Sequence, residues 1–262
     1  MTTGDTWQIA DKIFRSRLIV GTGKFKSYEM MQAAHIASGA EMVTVAIRRL
    51  PLDKPGEKNI LDYIDRSRFM ILPNTAACFT VKDTVRIARL AREMGLGNFI
   101  KVEVIGDPKY LVPDVVATIE ATRQLVEEGF VVLPYTTDDL TVAKRLLEAG
   151  AATIMPGGSF IGSGQGVPNF NKIKVLREFV NVPLIVDSGI GSASDAALAM
   201  ETGADAVLTN TAIAEADDPP LMAEAIRQGV EAGRKSFLAG RMPVRSYASA
   251  SSPVSDTVGS KA

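Results

Sequence analysis

Eight short apolar runs, spaced about 25 residues apart and separated by segments of helical periodicity, restrict the fold of this chain more than any other feature. They are "RLIVGT" (17–22), "MVTVAI" (42–47), "FMILPNT" (69–75) and "FIKVEVIG" (99–106), then "FVVLPYT" (130–136), "ATIMPGG" (152–158), "PLIVDSG" (183–189) and "AVLTNT" (206–211). Between them lie segments such as "VKDTVRIARLAREMG" (81–95) and "TVAKRLLEAGA" (141–151), with apolar residues at helical spacing and glycine at the C-terminal end. The order reads β, α, β, α throughout. Strands that are apolar almost without interruption imply a parallel sheet covered by helices, and eight such units in 262 residues predict a closed (β/α)8 TIM barrel. An open doubly wound sheet is the runner-up, but "VGTGKFKSYE" carries Lys26 where a dinucleotide-binding turn needs its third glycine. "WQIADKIF" is predicted to form a short N-terminal hairpin before strand one, plugging the lower mouth. Residues 1–245 read as a single barrel domain, and residues 246–262, "SYASASSPVSDTVGSKA", as a partly flexible tail.

Composition removes several classes of function. With 29 basic and 30 acidic residues there is no global field for nucleic acid or an anionic membrane. No stretch of about 18 uncharged apolar residues occurs and the start lacks a secretory pattern, so a cytoplasmic location is expected. The single cysteine, Cys78, excludes an internal disulfide and a Cys-rich metal site, and reads as a small buried filler. The single histidine, His35 in "EMMQAAHIASGA", reads as a surface or interface residue of a helix. No metal or cofactor is expected. Acid and base chemistry therefore falls to carboxylates, lysine and tyrosine.

In the fourth run, strand alternation puts Lys101 and Glu103 on one face, opposite Ile100, Val102 and Val104. If the apolar face packs under helices, both charges enter the barrel, where Asp187 from the seventh run joins them. A buried ion-pair layer is the bland reading. A working lysine is favoured, because buried charge pairs stabilise weakly compared with apolar packing. A neutral amine attacks a carbonyl to give an imine, and Glu103 and Asp187 would then move protons. Burial lowers a lysine pKa while an adjacent carboxylate raises it, and the sequence leaves that balance open. The loop "GGSFIGSGQG" (157–166), the S-x-x-D cap of Ser192 and Asp195 beyond Gly189 and Gly191, and Asn210 with Thr211 predict a phosphate site after strands six to eight.

These residues resemble one family, thiazole synthase of thiamin biosynthesis. "VAIRR", "KVEVIGDP" and "IGSGQG" in this order carry the resemblance, with "VGTGKF", "LPNTAACFT", "GFVVLPYTTDD", "VDSGIGSASDA", "ADAVLTNTAIA" and "YASASSP" supporting it over most of the chain. The resemblance implies a barrel that binds 1-deoxy-D-xylulose 5-phosphate as an imine on Lys101, with Glu103 and Asp187 as acid and base. It implies sugar-phosphate contacts from Gly162, Ser188, Gly189, Asn210 and Thr211. Its partners would be a sulfur-carrier protein with a C-terminal Gly-Gly thiocarboxylate and an enzyme producing dehydroglycine, and its assembly a homo-oligomer, a tetramer. "MPGGSF" departs from the family's "MPLGSP". The alternatives are another lysine-imine barrel, such as a sugar-phosphate aldolase, and an inactive phosphate-binding scaffold.

Overall fold

The computed structural model describes residues 4–51 and 58–252. An antiparallel hairpin, β1 (Trp7–Ile9) with β2 (Lys12–Phe14), precedes the barrel. The eight barrel strands are β3 (Leu18–Val20), β4 (Met42–Ala46), β5 (Met70–Asn74), β6 (Phe99–Val102), β7 (Val131–Thr136), β8 (Met155–Pro156), β9 (Ile185–Asp187) and β10 (Ala206–Thr209). All pair in parallel from β8 through β7, β6, β5, β4 and β3 to β10 and β9. Single bridges Ile154–Leu184 and Gly157–Asp187 join β8 to β9 and close the ring. The predicted (β/α)8 barrel with its leading hairpin is therefore the observed fold.

The helices are α1 (Tyr28–Ser38), α2 (Val81–Glu93), α3 (Val115–Glu127), α4 (Leu140–Glu148), α5 (Phe170–Phe179), α6 (Ala193–Glu201), the single turn α7 (Thr211–Ala214) and α8 (Pro219–Ala239). The strict β, α alternation needs one correction. Between β4 and β5 the described residues form two short 3-10 turns, Ile47–Arg49 and Ile60–Tyr63, and no α-helix. After Ala239 the chain runs exposed to residue 252, and the rest of the expected tail, 253–262, lies outside the described residues. Among the described residues no helix is long and apolar enough to cross a membrane.

Strand alternation builds two cores. Side chains facing outward, among them Ile100, Val102 and Val104, pack with Val85, Ala88, Ala121 and Leu125 of α2 and α3. Those facing inward, including Ile19, Met42, Leu72, Phe99, Leu133, Met155 and Ile185, form an apolar floor. Trp7, Ile9 and Phe14 of the hairpin belong to that same cluster, so the hairpin does plug the lower mouth. Trp7 and Phe14 meet at 5.3 Å between ring centroids, and the indole N–H donates to the Ser16 carbonyl at 2.8 Å. Arg17 and Arg234 clamp Asp5 and hold its carboxyl down at about 2, which fixes the start of the hairpin to α8.

His35 corrects a second expectation. It is buried on α1, with Nε2 donating to the Gly21 carbonyl at 2.8 Å and Phe25 and Phe69 edge-on to its ring. Burial lowers its pKa more than the Gly21 carbonyl raises it. A lone histidine in a helix reads as amphipathic by default; here its polar edge finds a partner in the loop after β3. Cys78 is fully buried, as expected, and burial pushes its thiol up.

Candidate functional site

Two residues beyond the apolar floor, the period of a strand brings the next inward side chains to the upper half of the barrel. Phe99 is followed by Lys101 and Glu103, Leu133 by Tyr135, Met155 by Gly157 and Ile185 by Asp187. Lys101 Nζ lies 3.0 Å from Glu103 Oε1 and 2.7 Å from Asp187 Oδ2. All three groups are buried, so the charged layer expected from the sequence exists and its members touch. Asp187 Oδ2 accepts no well-directed hydrogen bond, and its link to the ammonium is an ion pair. Glu103 lies one residue past the end of β6. Its backbone is pinned there by the Thr75 hydroxyl, which accepts from Glu103 N–H at 2.8 Å and donates to its carbonyl at 2.9 Å.

The balance that the sequence leaves open is settled by the two carboxylates. Burial is the largest influence on Lys101 and disfavours its charge, but Asp187 and Glu103 together outweigh it and raise its pKa. The resting amine is an ammonium. Burial also pushes Asp187 up, by more than Lys101 pulls it down, and Glu103 adds to the rise. Both shifts have one origin: two carboxylates sharing one ammonium in a low-dielectric site favour an extra proton. Tyr135, whose ring centroid is 5.8 Å from Lys101 Nζ, is pushed up to about 12 by burial and by Asp187.

Above this cluster opens a cavity of about 370 Å³, and Gly162, Ser188, Gly189, Asn210 and Thr211 all line it together with Lys101, Glu103 and Asp187. The loops after β8 and β9 are sewn to each other. Ser188 Oγ donates to Ser159 O at 2.7 Å, Gly166 N–H to Gly189 O at 2.8 Å, and Gly158 N–H to Asp187 O at 2.9 Å. Ser188 and Gly189 both have positive φ, 61° and 80°, and a Cβ on Gly189 would stand 2.2 Å from Ser159 Oγ and 2.5 Å from Ser159 N. Only glycine fits that place. Gly162 faces Thr211: a Cβ there would lie 3.4 Å from Thr211 Oγ1. Asn210 donates from Nδ2 to the Gly23 carbonyl at 3.1 Å.

The capping box at the start of α6 is present, but the Asp195 carboxylate takes the N–H groups of Gly191 and Ser192 at 2.9 and 3.1 Å. The two groups it takes belong to the cap residue and the residue before it, not to Ala193 and Ser194 inside the first turn. Lys24, Arg49 and Asn74 line the cavity and were not expected there. Tyr135 was legible from the same alternation that places Lys101. Lys24 and Arg49 had no sequence signal beyond "GTGKF" and "VAIRR".

The chain matches the family "Thiazole biosynthesis protein ThiG" over residues 8–253. It is 57% identical over 256 residues to a thiazole synthase from Solibacter usitatus (strain Ellin6076), covering 97% of this chain and 99% of that protein. It is 54% identical over 250 residues to one from Myxococcus xanthus (strain DK1622), covering 95% and 96%. Among solved structures, the Amycolatopsis orientalis BexX/CysO complex superposes with a TM-score of 0.83 at 34% identity, over 92% of this chain and 98% of that one. 3-Hexulose-6-phosphate synthase from Salmonella typhimurium, at 20% identity, a TM-score of 0.60 and coverage of 82% and 98%, shares the barrel fold alone. The aldolase alternative is not favoured, and the chain belongs to the thiazole synthase family of thiamin biosynthesis.

Proposed function

We propose that this protein makes its thiazole on an imine between Lys101 and the C2 ketone of 1-deoxy-D-xylulose 5-phosphate. The observation that carries the reading is the contact of Lys101 with two buried carboxylates at 3.0 and 2.7 Å under a cavity of sugar-phosphate size. An ammonium is no nucleophile, so the first step is proton transfer from Lys101 to Asp187. In a buried site this turns an ion pair into two neutral groups, and the raised proton affinity of Asp187 lowers the cost of the step. The freed lone pair attacks C2, and protonated Asp187 returns its proton as the carbinolamine loses water. Glu103, fixed by Thr75, then takes the proton from C3, and the imine rearranges to an aminoketone-like form. Gly162, Ser188, Gly189, Asn210 and Thr211 hold the phosphate end, an arrangement supported by their convergence on one cavity.

Sulfur arrives from the C-terminal Gly-Gly thiocarboxylate of a sulfur-carrier protein, and dehydroglycine from a second enzyme supplies the remaining carbon and nitrogen. That a relative at 34% identity was solved as the BexX/CysO complex supports a protein partner for this chain. A cytoplasmic homotetramer completes the proposal. Borohydride added with sugar phosphate should leave a secondary amine on the peptide containing residue 101. Lys101→Arg should fold, since it keeps a cation between Glu103 and Asp187, and give no adduct, since a guanidinium stays protonated. Label on another lysine, or in the arginine variant, would refute the imine.

A further inference from the structure

The phosphate cradle named above contains no charged side chain, while the cavity floor carries two carboxylates against one ammonium. A phosphate dianion entering that space needs a cation of its own. We infer that Lys24, on the loop after β3, is that cation, and that Glu215 holds it in reserve until substrate arrives; this rests on the sugar-phosphate reading of the cavity.

Three observations place Lys24 there. It lines the same cavity, and its Nζ would lie 3.8 Å from a Cβ on Gly162, on the side where Thr211 Oγ1 stands at 3.4 Å. Its backbone is left-handed, φ 71°, a conformation uncommon for a side chain of this type and found most often where a site demands it. Its ammonium is tied to Glu215 Oε1 at 2.8 Å, and both side chains of that pair are half-exposed, 50% and 56%. Exposed pairs of this kind contribute little to stability, so a strained lysine is poorly explained by the pair alone. Glu215 follows directly on α7, the turn that carries Thr211, so the carboxylate and the cradle compete for one ammonium across one short segment. A phosphate, doubly charged and already held by the cradle, displaces a singly charged, solvated carboxylate.

Calorimetric titration of the full-length protein with 1-deoxy-D-xylulose 5-phosphate and with unphosphorylated 1-deoxy-D-xylulose tests this. Lys24→Met should bind the phosphorylated sugar about tenfold more weakly, the usual loss of a charge-assisted hydrogen bond, and the unphosphorylated sugar as before. Lys24→Gly, which relieves the left-handed backbone, should show the same loss while melting no lower than wild type. Glu215→Gln should go the other way, binding the phosphorylated sugar as tightly as wild type or up to about threefold more tightly, because it releases the lysine. If Lys24→Met and Glu215→Gln weaken binding equally, the pair is structural and the inference fails. It fails also if Lys24→Met weakens both sugars alike. A wild type that does not distinguish the two sugars overturns the phosphate reading itself, and the role of Lys24 with it.

Discussion

Removing the charge of Lys101 and removing that of Asp187 should have unequal consequences for stability, because the buried cluster holds one acid more than it holds bases. Lys101→Met leaves Glu103 and Asp187 facing each other across the space where an ammonium stood within 3.0 Å of both. Breaking a buried pair by deleting one partner costs about 3–5 kcal/mol, since the remaining charge is uncompensated. For a chain of this size that lowers the melting temperature by roughly 6–20 °C, at about 2–4 °C per kcal/mol for domains of 150–250 residues. Asp187→Asn removes the surplus carboxylate and keeps Lys101 paired with Glu103 at 3.0 Å. It loses a charge-assisted contact of about 1.5–3 kcal/mol but avoids the several kcal/mol of desolvating a second buried anion, so its stability should stay within about 1 kcal/mol of wild type or exceed it. Urea midpoints at unchanged m-value measure both. The sign of the pH dependence follows from the raised Asp187 pKa. A carboxyl whose folded pKa lies above its unfolded value stabilises at low pH and loses that contribution as pH rises through the folded pKa. The deficit of Lys101→Met should therefore be smaller at pH 5 than at pH 8. Asp187→Asn should give the borohydride adduct much more slowly than wild type, because both proton transfers assigned to Asp187 precede the imine. If Asp187→Asn destabilises as much as Lys101→Met, the three groups do not share charge as described and the proton-transfer step loses its basis.

Gly189→Ala puts a methyl group 2.2 Å from Ser159 Oγ and 2.7 Å from Gly166 O at φ 80°, so it should part the loops after β8 and β9 and abolish sugar-phosphate binding. Gly95→Ala, at φ 75° with nothing within 4 Å, should cost about 1 kcal/mol and leave binding intact; equal effects on binding would refute the cradle. His35 has a pKa lowered by burial, so its neutral form is fully stabilising above its ordinary value of 6.5 and stability should fall as pH drops below it. With one histidine in the chain the step is assignable, and His35→Gln should flatten the melting temperature between pH 5 and 7.

What the sequence makes legible here is whatever a period of two decides. Alternation along "FIKVEV" separates the face packed on α2 and α3 from the face that carries Lys101 and Glu103, and one strand suffices to read it. The same rule carries Ile185 to Asp187. It says nothing of partners across the ring, so the grip of Thr75 on Glu103 was invisible although "LPNTAACFT" contains it. His35 was misplaced for the same reason: its partner is a backbone carbonyl in another loop, and a carbonyl leaves no trace in composition. The Ser192–Asp195 motif is legible as a cap, but the reach of its carboxylate back to Gly191 N–H is not, since that contact depends on the path of the preceding loop.

Charge placement then links the barrel to its chemistry. The floor supplies a surplus proton acceptor where the amine must be discharged, and burial raises the proton affinity of that acceptor. The same surplus repels a phosphate. The cavity accommodates both by placement: the carboxylates sit at the ends of β6 and β9 over the apolar floor, while Gly162 sits on the loop after β8, Thr211 on α7 and Lys24 on the loop after β3, and Arg49 also lines the wall. Moving the acids upward would weaken anion binding, and moving the cations downward would keep Asp187 ionised and leave Lys101 charged. The placement of the acids at strand ends and of the cradle on the segments that follow β8 and β10 is therefore what allows one barrel both to hold a dianion and to generate a neutral amine beside it.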